Sequence, residues 1–228
     1  MSVFIRYLRA RKQLASGSSK GWFMLAWSLS LVFHPLLIPT WMVLLVMVFS
    51  PGLMPFTEEG YKGMIAFIFG GTFLLPASGI ALLWASGMVR SLSMDDKQDR
   101  HLPHLLTFAC YLTGAILFHR FLPILDLLYC VLLGSAVSVG VTGLITLFWK
   151  ISSHMAGLGG LLGFQLALAI QSNPHDFIIP MFLSILFTGA VASSRLFLRV
   201  HNEAQILAGF FLGMVISSVT VTFFAAFF

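Results

Sequence analysis

The chain has 228 residues, of which 58% are hydrophobic and only 9% charged, with a formal net charge of +5. Soluble domains carry about 45–50% apolar and about 25% charged residues, so a water-facing globular protein is excluded. Disorder needs low hydrophobicity and high charge, and the same figures exclude it.

In chain order, Arg6, Arg9, Arg11, Lys12 and Lys20 make a basic lead, residues 1–20, expected to lie on an anionic membrane surface. The apolar run behind it is longer than the roughly 7–15 residues of a signal peptide, so cleavage is not expected. Uncharged stretches then cover 21–57, 63–89, 101–119, 127–149, 151–175, 177–194 and 204–228. A helix needs about 17–25 apolar residues to cross a hydrocarbon core about 30 Å thick. A charge at its centre costs about 2.5–3.5 kcal/mol, which is why charges collect in loops. The expectation is an all-α, polytopic membrane bundle of six to seven transmembrane helices, a single domain over 21–228. Stretch 101–119 is short enough to tilt or dip. The apolar runs are continuous rather than alternating, which argues against a β-barrel.

Within these stretches, His34 with Pro35 and Pro39 predicts a kinked first helix. Ser50-Pro51-Gly52 and Ser172-Asn173-Pro174 mark chain reversals. Cys110 and Cys130 lie in apolar surroundings and read as packing residues. His101 and His104 have H-x-x-H spacing but lack the carboxylate or cysteine set of a zinc site. The Gly159/Gly163 and Gly209/Gly213 pairs have the small-xxx-small spacing of closely packed membrane helices.

If each stretch crosses once, the N-terminus, the 90–100 loop, the 150–154 junction and the 195–203 loop share one face. That face holds 11 basic residues, while Lys62 and Arg120 stand alone on the other. Positive-inside logic makes the basic face cytoplasmic. Three basic loops converging on one face also make an anion site. The segments Lys150–Gly157 and Ser193–Gln205 each bring Ser and His to a helix start, where first-turn amides are unpaired and the dipole favours an anion. Asn202 and Gln205 fit an N-cap and N3 pair. Arg195 can fork onto phosphate oxygens, and two histidines can divide nucleophilic and general-acid roles.

These residues carry a family resemblance. Ser194-Arg195, five residues, then His201 resembles the S-R-x5-H core of the third signature of the type 2 phosphatidic acid phosphatase superfamily. Ser152-Ser153-His154 resembles its second signature, P-S-G-H, with Ile151 and Ser153 in place of Pro and Gly. Lys97-Gln98-Asp99-Arg100-His101-Leu102-Pro103 is loosely similar to the first, K-x6-R-P, and Arg90 stands seven positions before Lys97. The resemblance covers about residues 90–215.

The resemblance implies metal-independent hydrolysis of a lipid phosphate or diphosphate through a phosphohistidine, with no cofactor. Carried onto matching positions, His201 is the nucleophile and His154 the acid for the leaving alcohol. Arg195, Arg100 and Lys97 hold phosphate oxygens, with Ser152, Ser153, Ser194 and Lys150 around them. The family has Asp four residues after the nucleophile; this chain has Gln205, which can orient the imidazole but cannot neutralise it. The implied partners are a lipid phosphate or polyprenyl diphosphate and membrane lipids, not nucleic acid. The implied location is a bacterial inner membrane. Gln205 also admits a second reading, a non-hydrolytic lipid-phosphate binder or transporter on the same bundle.

Overall fold

The computed structural model describes residues 17–54, 56–92, 94, 96, 98–121 and 126–225. Its helices are α1 (Gly17–Val32), α2 (Ile38–Phe49), α3 (Glu58–Phe69), α4 (Leu75–Ala85), α5 (His101–Phe121), α6 (Asp126–Phe148), α7 (Ser153–Gln171), α8 (His175–Phe197) and α9 (Glu203–Ala225). No strand occurs among the described residues. Helices of 21–23 residues, such as α5, α6, α8 and α9, are about 32–35 Å long at 1.5 Å per residue, enough to cross a bilayer core. Six segments are long and apolar enough to span, and α1 with α2 makes a seventh if that bent pair counts as one. The protein is therefore an all-α membrane bundle. Outward side chains such as Leu82, Phe148 and Ile170 are exposed, as a lipid-facing surface requires.

The first span bends by 40° between α1 and α2, at the position expected. Pro35 and Pro39 lack the N–H that a continuous helix needs, and a 3-10 turn, Pro35–Leu37, bridges the gap. The expected surface segment 1–20 lies outside the described residues up to 16, and α1 already begins at Gly17.

The second span is also interrupted. A π-turn, Gly70–Leu74, joins α3 to α4 ahead of Pro76. Pro76 cannot donate to the Thr72 carbonyl four residues back, and the buried Tyr111 hydroxyl donates to it instead, at 3.0 Å. Stretch 101–119 does not dip: α5 continues through Phe121, and a 3-10 turn, Gln98–Arg100, lengthens it at the other end.

Helix α7 is the most enclosed span, with α2, α6, α8 and α9 packed around it. Gln165 on α7 donates to Ser184 Oγ on α8 at 2.9 Å, an interhelical hydrogen bond of the kind that holds membrane helices together. The closest contact is between α7 and α9, and glycines permit it. A Cβ at Gly159 would strike the Phe210 carbonyl, one at Gly163 the Met214 carbonyl, and one at Gly213 the Ala156 carbonyl. Both helices start at the same end of the bundle, where Ser152 N donates to the Gln205 carbonyl at 3.2 Å. At the opposite end Ser50 Oγ donates to Asp176 Oδ2 at 2.8 Å, so the loops group as the threading predicts.

Candidate functional site

The starts of α7 and α9 share the bundle end with the turn before α5. Arg100 is 7% exposed. Its Nε donates to the Met94 carbonyl at 2.8 Å and its Nη1 to the Ile151 carbonyl at 3.3 Å. These bonds pin the 90–100 loop against the α6–α7 link. Met94 adopts a left-handed backbone, with φ of 47°, uncommon for a non-glycine residue. Asp99, also buried, accepts from the Arg90 backbone N–H at 3.2 Å and from Arg90 Nε at 3.1 Å. Arg90 thus braces the loop.

A cavity of about 160 Å³ opens between these elements, walled by Arg100, His104, Ser153, His154, Arg195, His201 and His34, with Met94, Thr107 and apolar side chains completing it. It brings together five of the residues singled out by sequence: His201, His154, Arg195, Arg100 and Ser153. Gln205 stands behind His201, its Oε1 3.0 Å from His201 Nδ1. Three others are not wall residues. Ser194 donates its hydroxyl to the Ala190 carbonyl of its own helix at 2.7 Å, which uses the proton it was expected to offer a phosphate. Ser152 is fully buried, and its Oγ has no hydrogen-bond partner among the described residues. Lys150 is half-buried nearby, close enough for its charge to act on His201. Lys97 lies outside the described residues.

The protonation pattern of His201 follows from its neighbours. Gln205 Oε1 accepts from the Asn202 backbone N–H at 3.3 Å, while Asn202 Oδ1 accepts from Gln205 N at 3.0 Å. This is the expected reciprocal cap. A backbone N–H can only donate, so the amide atom facing it is oxygen, and the same oxygen lies 3.0 Å from His201 Nδ1. Nδ1 therefore carries the proton, and the neutral ring keeps its lone pair at Nε2. Burial, above all, holds the His201 pKa down from 6.5 to about 3. The charges of Arg100, Arg195 and Lys150 act in the same sense, against the opposite pull of Gln205. At neutral pH the ring is unprotonated at Nε2.

His154 is held differently. Its Nε2 donates to the Ser30 carbonyl at 3.0 Å, where α1 frays into the bend, leaving Nδ1 without the proton in the neutral ring. His34 packs edge-on against it, with ring centroids 5.6 Å apart, and accepts at Nδ1 from Leu36 N at 3.3 Å. The predicted kink at His34 is real, but the residue is also part of the cavity wall, which sequence reasoning missed. An ionisable residue inside an apolar span was the available signal. His104 was missed too, and its signal was the i+4 spacing from Arg100 at one helix start.

The first intrahelical bond of α7 is Ala156 N to Ser152 O, at 3.0 Å. The amides of Ser153, His154 and Met155 precede it, so the helix presents the unpaired donors and positive dipole end that suit an anion. Two arginines, a helix N-terminus and an unprotonated imidazole around one cavity can bind a tetrahedral anion and attack it.

No protein-family model matches the chain, and neither does any curated protein or solved structure.

Proposed function

We propose that the protein is a membrane-embedded lipid phosphatase that cleaves a lipid phosphate or diphosphate through a phosphohistidine on His201, without a metal ion, in a bacterial inner membrane. The observation that supports it most is the lone pair at His201 Nε2. Gln205 holds the opposite nitrogen, and burial with neighbouring cations keeps the ring neutral. Phosphoryl transfer asks chiefly for positive groups on the equatorial oxygens and an in-line nucleophile. Arg195 and Arg100 answer the first need and His201 the second. His154 is assigned to the leaving alcohol: its Nδ1, free of a proton in the neutral ring, takes one from the bound phosphate monoester and passes it to the departing oxygen. The resemblance of Ser194-Arg195-x5-His201 and Ser152-Ser153-His154 to the phosphatidic acid phosphatase signatures supports the same roles.

The test is phosphate release from phosphatidic acid, phosphatidylglycerol phosphate, a polyprenyl diphosphate and lipid A, in detergent, with and without chelator. Release that survives chelator and falls at least a hundredfold in His201→Ala and Arg195→Ala is the expected result. Undiminished turnover in either folded variant refutes the mechanism.

One observation favours a second reading. Gln205 carries no charge that could neutralise a positive ring, so the same cavity suits a protein that binds a lipid phosphate and does not cleave it. Saturable binding without release from any of the four lipids identifies that case.

A further inference from the structure

The cavity wall contains an arrangement that the mechanism above leaves unused. His104 Nδ1 lies 2.7 Å from the Arg100 carbonyl oxygen, and its Nε2 lies 3.2 Å from Ser153 Oγ. A carbonyl only accepts, so Nδ1 carries the proton of the neutral ring. Nε2 then accepts from the Ser153 hydroxyl. Hydroxyl, base and orienting acceptor stand in the order that activated hydroxyls require. Ser153 occupies the position where the resembled signature has glycine, so this hydroxyl is an addition by the present chain.

Behind the same pair lies a smaller cavity of about 40 Å³, bounded by His104 and Ser153, with Ser135, Ser138, Thr142 and Ser217 set among apolar side chains such as Ile38 and Met42. At roughly 10–15 Å³ for each water position, it has room for about three. Thr142 is 2% exposed, and its Oγ1 has no hydrogen-bond partner among the described residues. Buried hydroxyls are normally satisfied. A small cavity that gathers several hydroxyls, one of them unsatisfied, is a place for water inside an otherwise apolar bundle.

We propose that Ser153 and His104 form the proton relay that activates water for the second half of the reaction, drawing that water from the smaller cavity. The proposal rests on the phosphatase reading. With the phosphoryl group on His201 Nε2, a water oxygen attacks phosphorus opposite the P–N bond. One water proton passes to Ser153 Oγ as the Ser153 proton passes to His104 Nε2. The new P–O bond forms, the P–N bond breaks, and its electron pair returns to His201. His104 is then an imidazolium whose Nδ1–H stays on the Arg100 carbonyl. It returns its proton through Ser153 to the departing phosphate, which resets the pair. His154, anchored on Ser30, is left to serve the leaving alcohol of the first half.

The test is rapid-quench kinetics with 32P-labelled phosphatidic acid in detergent micelles, comparing wild type with His104→Gln, Ser153→Gly and Thr142→Val. Ser153→Gly removes the hydroxymethyl group and leaves the residue that the resembled signature carries there, so it keeps the test decisive even where His104→Gln folds poorly. In both relay variants an acid-labile phosphoenzyme is expected to accumulate, its formation slowed far less than its breakdown. Steady-state release falls about a hundredfold, the lower end of what a lost general base costs. Thr142→Val slows release severalfold without slowing formation. Equal loss of formation and release in Ser153→Gly, or no change in either, overturns the relay while leaving the phosphatase reading intact. Wild type that forms no phosphoenzyme and releases no phosphate overturns both.

Discussion

Burial and nearby cations keep His201 neutral, and a charge introduced at position 205 by Gln205→Glu opposes them in a calculable way. The wild-type ring is neutral, its pKa near 3 because of burial and three nearby cations, and its Nδ1 lies 3.0 Å from Gln205 Oε1. A carboxylate at that distance favours the imidazolium. Two unit charges about 4 Å apart at an effective dielectric of about 20 interact by about 4 kcal/mol, which at 1.36 kcal/mol per unit is roughly three pKa units. The His201 pKa should rise to about 6. The glutamate still accepts from Asn202 N, so the cap survives. The assay is 15N–1H correlation spectroscopy of histidine-labelled protein in micelles, with His201→Ala used to assign the ring. Wild type should show a proton on Nδ1 and none on Nε2 throughout the range from pH 5 to 8, whereas the variant should take up a proton near pH 6. In a phosphatase, the acid limb of kcat/KM moves upward in parallel, because only the unprotonated ring attacks. Wild-type titration near 6.5, or no upward shift in Gln205→Glu, refutes the reasoning. The same depression has a stability consequence. An unfolded imidazole binds a proton below pH 6.5 that the folded one refuses until about 3, so stability falls as pH drops through that window.

Other substitutions test the scaffold beneath the site. Gly213→Ala drives a Cβ into the Ala156 backbone carbonyl, which no side-chain rotation relieves. A loss of about 1–3 kcal/mol should appear as a lower Tm in detergent, with Gly189→Ala, which meets nothing within 4 Å, unchanged or slightly raised. Tyr111→Phe strips the donor from the Thr72 carbonyl that Pro76 cannot serve. A loss of about 1 kcal/mol is expected, and an unchanged unfolding midpoint would show that another group satisfies that carbonyl. Arg199 has a left-handed backbone, with φ of 52°, where Val200 N turns back onto the Arg195 carbonyl at 3.2 Å. Arg199→Gly should therefore keep or raise Tm and leave lipid-phosphate binding intact, in contrast to Arg195→Ala, which should abolish it.

Much of this molecule is legible without coordinates, and the reasons are local. A charge is expensive in hydrocarbon, so uncharged stretches separated by charged loops reveal the spans and their number. Proline lacks an N–H, so Pro35 and Pro39 announce the break in the first span. The Asn202–Gln205 cap and the glycine pairs at 159/163 and 209/213 depend on spacing within one helix, and spacing is written in the chain. Tertiary packing decided what depends on which helices meet. Ser194 looks like a phosphate ligand in sequence, but the Ala190 carbonyl of its own helix occupies its hydroxyl. His34 reads as a kink and His104 as half of an unlikely zinc pair, yet the bend and the start of α5 turn both rings into the cavity beside His154 and Ser153. The sequence alone determined where the chain crosses, where it breaks and which residue types reach one face. Only the folded bundle decided which of those side chains are left with a lone pair facing the cavity, because that depends on acceptors contributed by other helices.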